Sequence, residues 1–195
     1  MIQYNIDVER TSIDSIELFG SLLRSISRRT AARHDLPAVH GDILDYLSRC
    51  NAYSNTVMAV AEYLGLTKGT VSQSIKLLVE RGYLERTPDE KDRRVQHLVL
   101  TQKGRLYAQD LNNDLQRRLG GIETAGNYTR LLKTILGDLT RQAQGRAPED
   151  LTFGTCRTCR FYRRGSEDGG SCAKTDHPVA EPDMDLLCRL HAWAD

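Results

Sequence analysis

A mainly α-helical fold with one small β-hairpin, followed by a short irregular module, is predicted for this chain by three observations. Apolar residues recur at three- and four-residue spacing from Ser12 to Arg33 and again from Thr124 to about Gln144, the period of a helix with one apolar face. Two short apolar-patterned stretches, closed by Gly65 and Gly82, stand directly before YLERT and VQHLVLT, which alternate apolar and polar residues around the charged run PDEKDRR. Such alternation on both sides of a turn reads as a hairpin. Beyond Pro148 the periodicity ends, and four of the five cysteines crowd the remainder of the chain.

The elements follow in order. Ile13, Ile16, Phe19, Leu22, Leu23 and Ile26 share one face of a long first helix, with Ser12 or Asp14 placed to cap it. A second helix follows Pro37, with Val39, Ile43, Leu44 and Leu47 on one side, until Cys50 and Asn51 interrupt the pattern. TVMAVAEYLG then makes a short helix ending at Gly65, and KGTVSQSIKLLVERG makes another ending at Gly82. Two short helices joined by a three-residue link are the helix-turn-helix plan. A hairpin immediately behind them is a wing. Gln102 to Leu119 reads as a helix that Gly120 and Gly121 should break, and the 124–144 helix follows. Gly145, Ala147 and Pro148 form a linker, so the expected division is 1–147, with a reading unit at 57–104, and a cysteine-rich module at 148–195.

Composition narrows the function. Lysine plus arginine number 27 against 26 aspartates and glutamates, for a net charge of +1, so any contact with nucleic acid must come from local patches. No run approaches the ~18 apolar residues of a membrane span. The polar, acidic start MIQYNIDVERTSID lacks the basic and apolar regions of a secretory signal. A cytoplasmic location is therefore expected, where clustered thiols point to metal or redox chemistry rather than disulfides. Cys50 stands apart and is expected to act as a small buried hydrophobe. There is no phosphate-binding glycine loop, no nucleophile beside a base and no recognisable acid pair, so enzymatic activity is not expected.

The second helix of a helix-turn-helix enters the major groove, with its N-terminal residues nearest the base edges. Here those are Lys68, Thr70, Ser72, Gln73 and Lys76. Glutamine and hydroxyl side chains can bond base edges, while lysines more often meet phosphates. Val71, Ile75, Leu78 and Val79 supply the opposite, buried face. In the wing turn, Lys91, Arg93 and Arg94 are candidates for the minor groove, Arg94 foremost, with Asp92 placed to orient an arginine.

The run Asp92-Arg93-Arg94 through Leu98, Leu100 and Thr101 to Gly104 resembles the wing signature of the MarR (multiple antibiotic resistance regulator) family, and VAEYLGLTKGTVSQSIKLLVERGYLER resembles its helix-turn-helix. The resemblance spans roughly residues 12–144. It implies a homodimer reading pseudo-palindromic double-stranded DNA and usually repressing nearby genes, with Thr70, Ser72, Gln73 and Lys76 facing the groove and Arg94 at the wing tip. Helices 12–33 and 124–144 also carry apolar faces wider than one small lobe can cover, which by itself argues for a bundle between two subunits. A two-fold dimer sets its recognition helices about 34 Å apart.

The module carries Cys156-x2-Cys159-x12-Cys172-x15-Cys188. Thiolates are soft ligands suited to zinc and to iron–sulfur clusters, and a Cys-x2-Cys pair offers two sulfurs from one tight turn. Without a metal such a segment has no evident means of folding. Two ligand sets stand open: all four cysteines around a [4Fe–4S] cluster, or zinc on Cys156, Cys159, Cys188 and His191. CRTCRFY, the glycines before Cys172 and the single late cysteine resemble the ligand layout of high-potential iron–sulfur proteins. That resemblance implies a cluster shielded by Phe161, Tyr162 and Trp193. Two regulatory schemes follow: a cluster that senses redox state, oxygen or iron, or a structural zinc module with a small aromatic effector doing the signalling. An electron-transfer enzyme is a third reading, with no motif to support it.

Overall fold

The computed structural model describes residues 8–89, 92–123, 153–165 and 169–194. The helix expected over 124–144, the linker at 145–148 and Lys91 lie outside them. Helix α1 spans Val8–Arg33, α2 Ala38–Arg49, α3 Val57–Leu64, α4 Lys68–Glu80 and α5 Gln102–Glu123; strands β1 (Leu84–Pro88) and β2 (Gln96–Leu100) form the hairpin. In the module, β3 (Tyr162–Arg164), β4 (Gly169–Cys172) and β5 (His177–Ala180) make a three-stranded sheet. Single 3-10 turns at Cys156–Thr158 and Glu181–Asp185 flank it.

Local chemistry sets the short helices. Thr56 caps α3 by accepting from the Ala59 N–H, and Thr67 caps α4 by accepting from the Thr70 N–H. Gly65 ends α3 in the left-handed region at φ 64°, and its neighbour Leu66 N–H bonds back to the Ala61 carbonyl. The hairpin is antiparallel, with Leu84 opposite Leu100 and Arg86 opposite Leu98; Leu84 and Leu98 are buried while Glu85 and Val99 face water.

One core joins these parts. Ile43, Leu44 and Tyr46 of α2, Ala59 and Val60 of α3, Val71, Ile75 and Leu78 of α4, and Tyr107 of α5 are all closed to solvent. Helix α5 is tied to α1 through Asp114, whose carboxylate accepts from the Thr30 hydroxyl at 2.6 Å and from Arg33 at 2.5 Å, with Arg117 on its other oxygen.

Three sequence expectations are corrected. Helix α1 begins at Val8, so Ser12 and Asp14 lie inside it rather than at its start. Helix α5 continues through Gly120 and Gly121 to Glu123; a glycine costs a helix only about 1 kcal/mol relative to alanine, which a long packed helix absorbs. The module is not an irregular tail: it has its own sheet, a buried Met184 and the 3-10 turn Glu181–Asp185.

Candidate nucleic-acid interface and cysteine cluster

Helix α4 divides as its period requires. Val71, Ser74, Ile75 and Leu78 are buried, while Lys68, Thr70, Gln73 and Lys76 are exposed along the opposite side and Ser72 is half-buried. Thr70 shares its hydroxyl with the capping Thr67 at 2.9 Å, which fixes the first turn. Lys76 leans toward Glu80 at 3.8 Å. Leu77, 47% exposed, continues the outward face, a position that polarity alone does not flag.

In the wing, Arg93 and Arg94 are exposed. Asp92 accepts from both the backbone N–H of Arg94, at 3.0 Å, and its Nε, at 3.3 Å, so the arginine is aimed from its base. An exposed pair of this kind contributes orientation rather than stability. The wing is braced at its root by His97, whose Nδ1 lies 2.5 Å from Asn55 Oδ1 and whose Nε2 lies 3.0 Å from Asp89 Oδ2. The backbone completes the brace, with Thr56 paired antiparallel to His97 and Leu98 N–H donating to the Asn55 carbonyl at 2.7 Å.

The four module cysteines come from separate stretches and are all half-buried thiols. Cys156 and Cys159 sit at the two ends of a 3-10 turn, with Cys159 N–H donating to the Cys156 carbonyl. Cys172 closes β4, and Cys188 pairs with Gly154. The Cys156 thiol is pushed up to about 11, by burial first and then by the charges of Cys188, Cys159 and Cys172, which places all four within electrostatic reach. Burial acts to raise Cys172 too, but the Thr175 hydroxyl and the N–H groups of Lys174 and Thr175 outweigh it and lower its thiol. Among the described residues no three His, Cys, Asp or Glu side chains stand at metal-holding spacing, so the thiols are gathered without being closed on one point. As a donor set they suit a soft metal centre. His191 is buried, its Nε2 3.1 Å from the Thr158 hydroxyl and its ring edge-on to Trp193. Cys50 is half-buried, with its thiol pushed by burial up to about 12, and pairs through its backbone with Leu187, the residue before Cys188.

Aromatic residues around the cysteines have defined partners. Phe161 carries Arg160 and Lys174 against its ring, and the Tyr162 hydroxyl donates to the Met184 sulfur at 3.4 Å. Tyr53, from the α2–α3 connection, packs on His177, and its phenol is raised by burial and then by Cys172 and Cys188. Sequence reasoning missed Tyr53, Phe153, Glu62 and Arg189, all of which join the module to the helical lobe. Phe153 packs edge-on against Tyr46 and Tyr63, and Arg189 makes a two-pronged ion pair with Glu62, one prong at 2.6 Å.

A polar helix face held beside a hairpin with an aimed arginine defines a winged helix-turn-helix, the class of fold that reads duplex DNA. Residues 34–95 match the model of the MarR family, so this segment of the chain is similar to the DNA-binding part of that family. The HTH-type transcriptional regulator PetP of Rhodobacter capsulatus is 24% identical over 121 residues, 58% of this chain and 71% of PetP. Among solved structures, transcriptional regulator Tm0710 from Thermotoga maritima superimposes with a TM-score of 0.52 at 22% identity, covering 68% of this chain and 96% of that one. The transcriptional regulator BldR from Sulfolobus solfataricus gives 0.53 at 20%, covering 71% and 99%. At these identities the likeness is one of fold. Both neighbours are used almost whole, so about 30% of this chain is additional to the fold they share. No helix among the described residues is long and apolar enough to cross a membrane.

Proposed function

We propose that the chain acts as a homodimeric transcription regulator, most often a repressor, that reads a pseudo-palindromic operator, and that Cys156, Cys159, Cys172 and Cys188 hold a [4Fe–4S] cluster whose state tunes that reading. The observation that carries it is that four cysteines from separate stretches lie in one small module packed against the helical lobe. Gln73, Thr70 and Ser72 are assigned to base edges, Lys68, Lys76 and Arg93 to phosphates, and Arg94 to the minor groove. Dimerisation is supported by α1, where Ile16, Leu18, Phe19 and Leu22 leave an apolar face exposed.

When bound, a cluster supplies a centre that gains or loses an electron and that oxygen or iron shortage can dismantle. The chain's own part is to hold the sulfurs. Cys156 and Cys159 present two from one turn, and the Lys174 and Thr175 N–H groups support the Cys172 thiolate. Protein purified without oxygen should be brown and contain iron and sulfide in equal amounts, and Cys172→Ser should lose both. A colourless protein with zinc would overturn the cluster. Failure of the protein to shift a fragment of its own promoter, loaded or not, would overturn the regulator.

One observation favours a second reading, in which a small effector signals and the module is structural zinc. A cavity of about 550 Å³ opens between α1, α2 and α5, with Arg24, Asp42, Arg49 and Leu111 among its walls. Saturable binding of an aromatic acid there, with release of DNA from a colourless protein, would establish it.

A further inference from the structure

The cysteine module and the DNA-reading wing are held by the same seven-residue connection between α2 and α3. On one side of it lies the segment that carries Cys188. Leu187 N–H donates to the Arg49 carbonyl at 2.8 Å, Asn51 N–H donates to the Leu187 carbonyl at 2.9 Å, and Cys50 and Leu187 pair as a parallel bridge. Arg189 N–H donates to the Ser54 hydroxyl at 2.8 Å, and Ser54 is wholly buried. The Ser54 hydroxyl in turn donates to Asn51 Oδ1, and its carbonyl accepts from the Tyr46 hydroxyl. On the other side of the same connection, Asn55 and Thr56 hold Leu98 and His97 of β2. The Arg189 guanidinium reaches past the connection to Glu62 of α3, whose side chain is only 17% exposed.

We infer that the segment Leu187–Arg189 is a clamp through which the cysteine centre sets the helix-turn-helix, with Arg189, Glu62 and Ser54 as its positioning residues; the inference rests on the four-cysteine reading above. Cys188 lies between the two residues that make the clamp's bonds, so tying its sulfur to the other three holds Leu187 and Arg189 in register. Releasing the sulfur frees the strand-like pairing and leaves Glu62 a buried carboxylate without its guanidinium. The connection then loses one of its two supports, and the wing root and α3 loosen with it. The sign follows: the form with the centre intact is the one that reads DNA, and loss of the centre weakens reading without touching any DNA-facing residue.

The test uses the full chain and two substitutions that leave every cysteine in place, Arg189→Ala and the near-isosteric Glu62→Gln. Operator affinity is measured by fluorescence anisotropy before and after removal of the metal with a chelator, alongside metal and sulfide content and amide exchange at Asn51 and Leu98. In the unaltered chain, metal removal should weaken operator binding on the order of tenfold. In Arg189→Ala the loaded protein should keep its metal content yet already bind as weakly as the stripped one, so that the ratio falls toward one. Glu62→Gln should move the same way by a smaller factor. Both variants keeping the full ratio with their metal would overturn the clamp. Should the unaltered chain hold no metal, the four-cysteine reading fails by itself, and exchange decides the clamp: faster exchange at Asn51 and Leu98 in Arg189→Ala upholds the mechanical link, and unchanged exchange overturns it.

Discussion

Asp114 is closed to solvent and bonded to Thr30, Arg33 and Arg117. The Thr30 hydroxyl first, then the two guanidiniums, lower its carboxyl to about 2 despite burial, which acts the other way. A depressed carboxylate contributes stability that is present above its ordinary value of 3.8 and is lost as pH falls through about 2. Urea titrations of Asp114→Asn should therefore lie below those of the unaltered chain at neutral pH, by about 2 kcal/mol, and the gap should close between pH 4 and 2. A gap independent of pH across that window would refute the assignment. Gly104 is a second residue with a definite demand: a Cβ there would lie 2.3 Å from the Tyr83 carbonyl oxygen, where β2 turns into α5. Gly104→Ala should cost about 1–3 kcal/mol, read as a lower unfolding midpoint.

At the scale of elements, the assignment proposed above gives α4 two different kinds of DNA contact, which should fail differently. Gln73→Ala should lose about 1–3 kcal/mol of discrimination at one base pair while nonspecific binding persists. Lys76→Ala should weaken all sequences alike and lower the dependence of affinity on salt by about one ion. Equal effects of the two changes on operator and random DNA would contradict the division of labour proposed for this helix. Helices α3 and α4 were readable because their signals are local. The Thr67 cap, the αL glycine at position 65 and the 3.6-residue period that buries Val71, Ile75 and Leu78 all lie within a few residues of one another. The start of α1 and the passage of α5 through Gly120 and Gly121 were not readable in that way, because packing along a long helix outweighs a single cap or glycine.

At the scale of the whole molecule, the module is a structural part of the reading lobe. Leu187 and Phe153 pack against the same core that holds Tyr46, Val60 and Tyr63. Removing the proposed cluster should accordingly lower the unfolding midpoint of the whole chain rather than melt the module alone. Scanning calorimetry of loaded and stripped protein would check this: two separated transitions in the loaded form would show that the parts unfold independently.

The amino-acid sequence by itself determined the helix-turn-helix, its buried and outward faces, the wing with Arg94 at its turn and the four-cysteine spacing, because each depends on periodicity, caps or short intervals. The tertiary structure alone decided where the module sits. Glu62 and Arg189 are 127 positions apart, and Ser54 and Arg189 are 135 apart; singly, each is an ordinary polar residue with no local pattern to mark it. Their meaning arises only when folding buries them together, where an unpaired carboxylate or hydroxyl is costly and a bonded one fixes position.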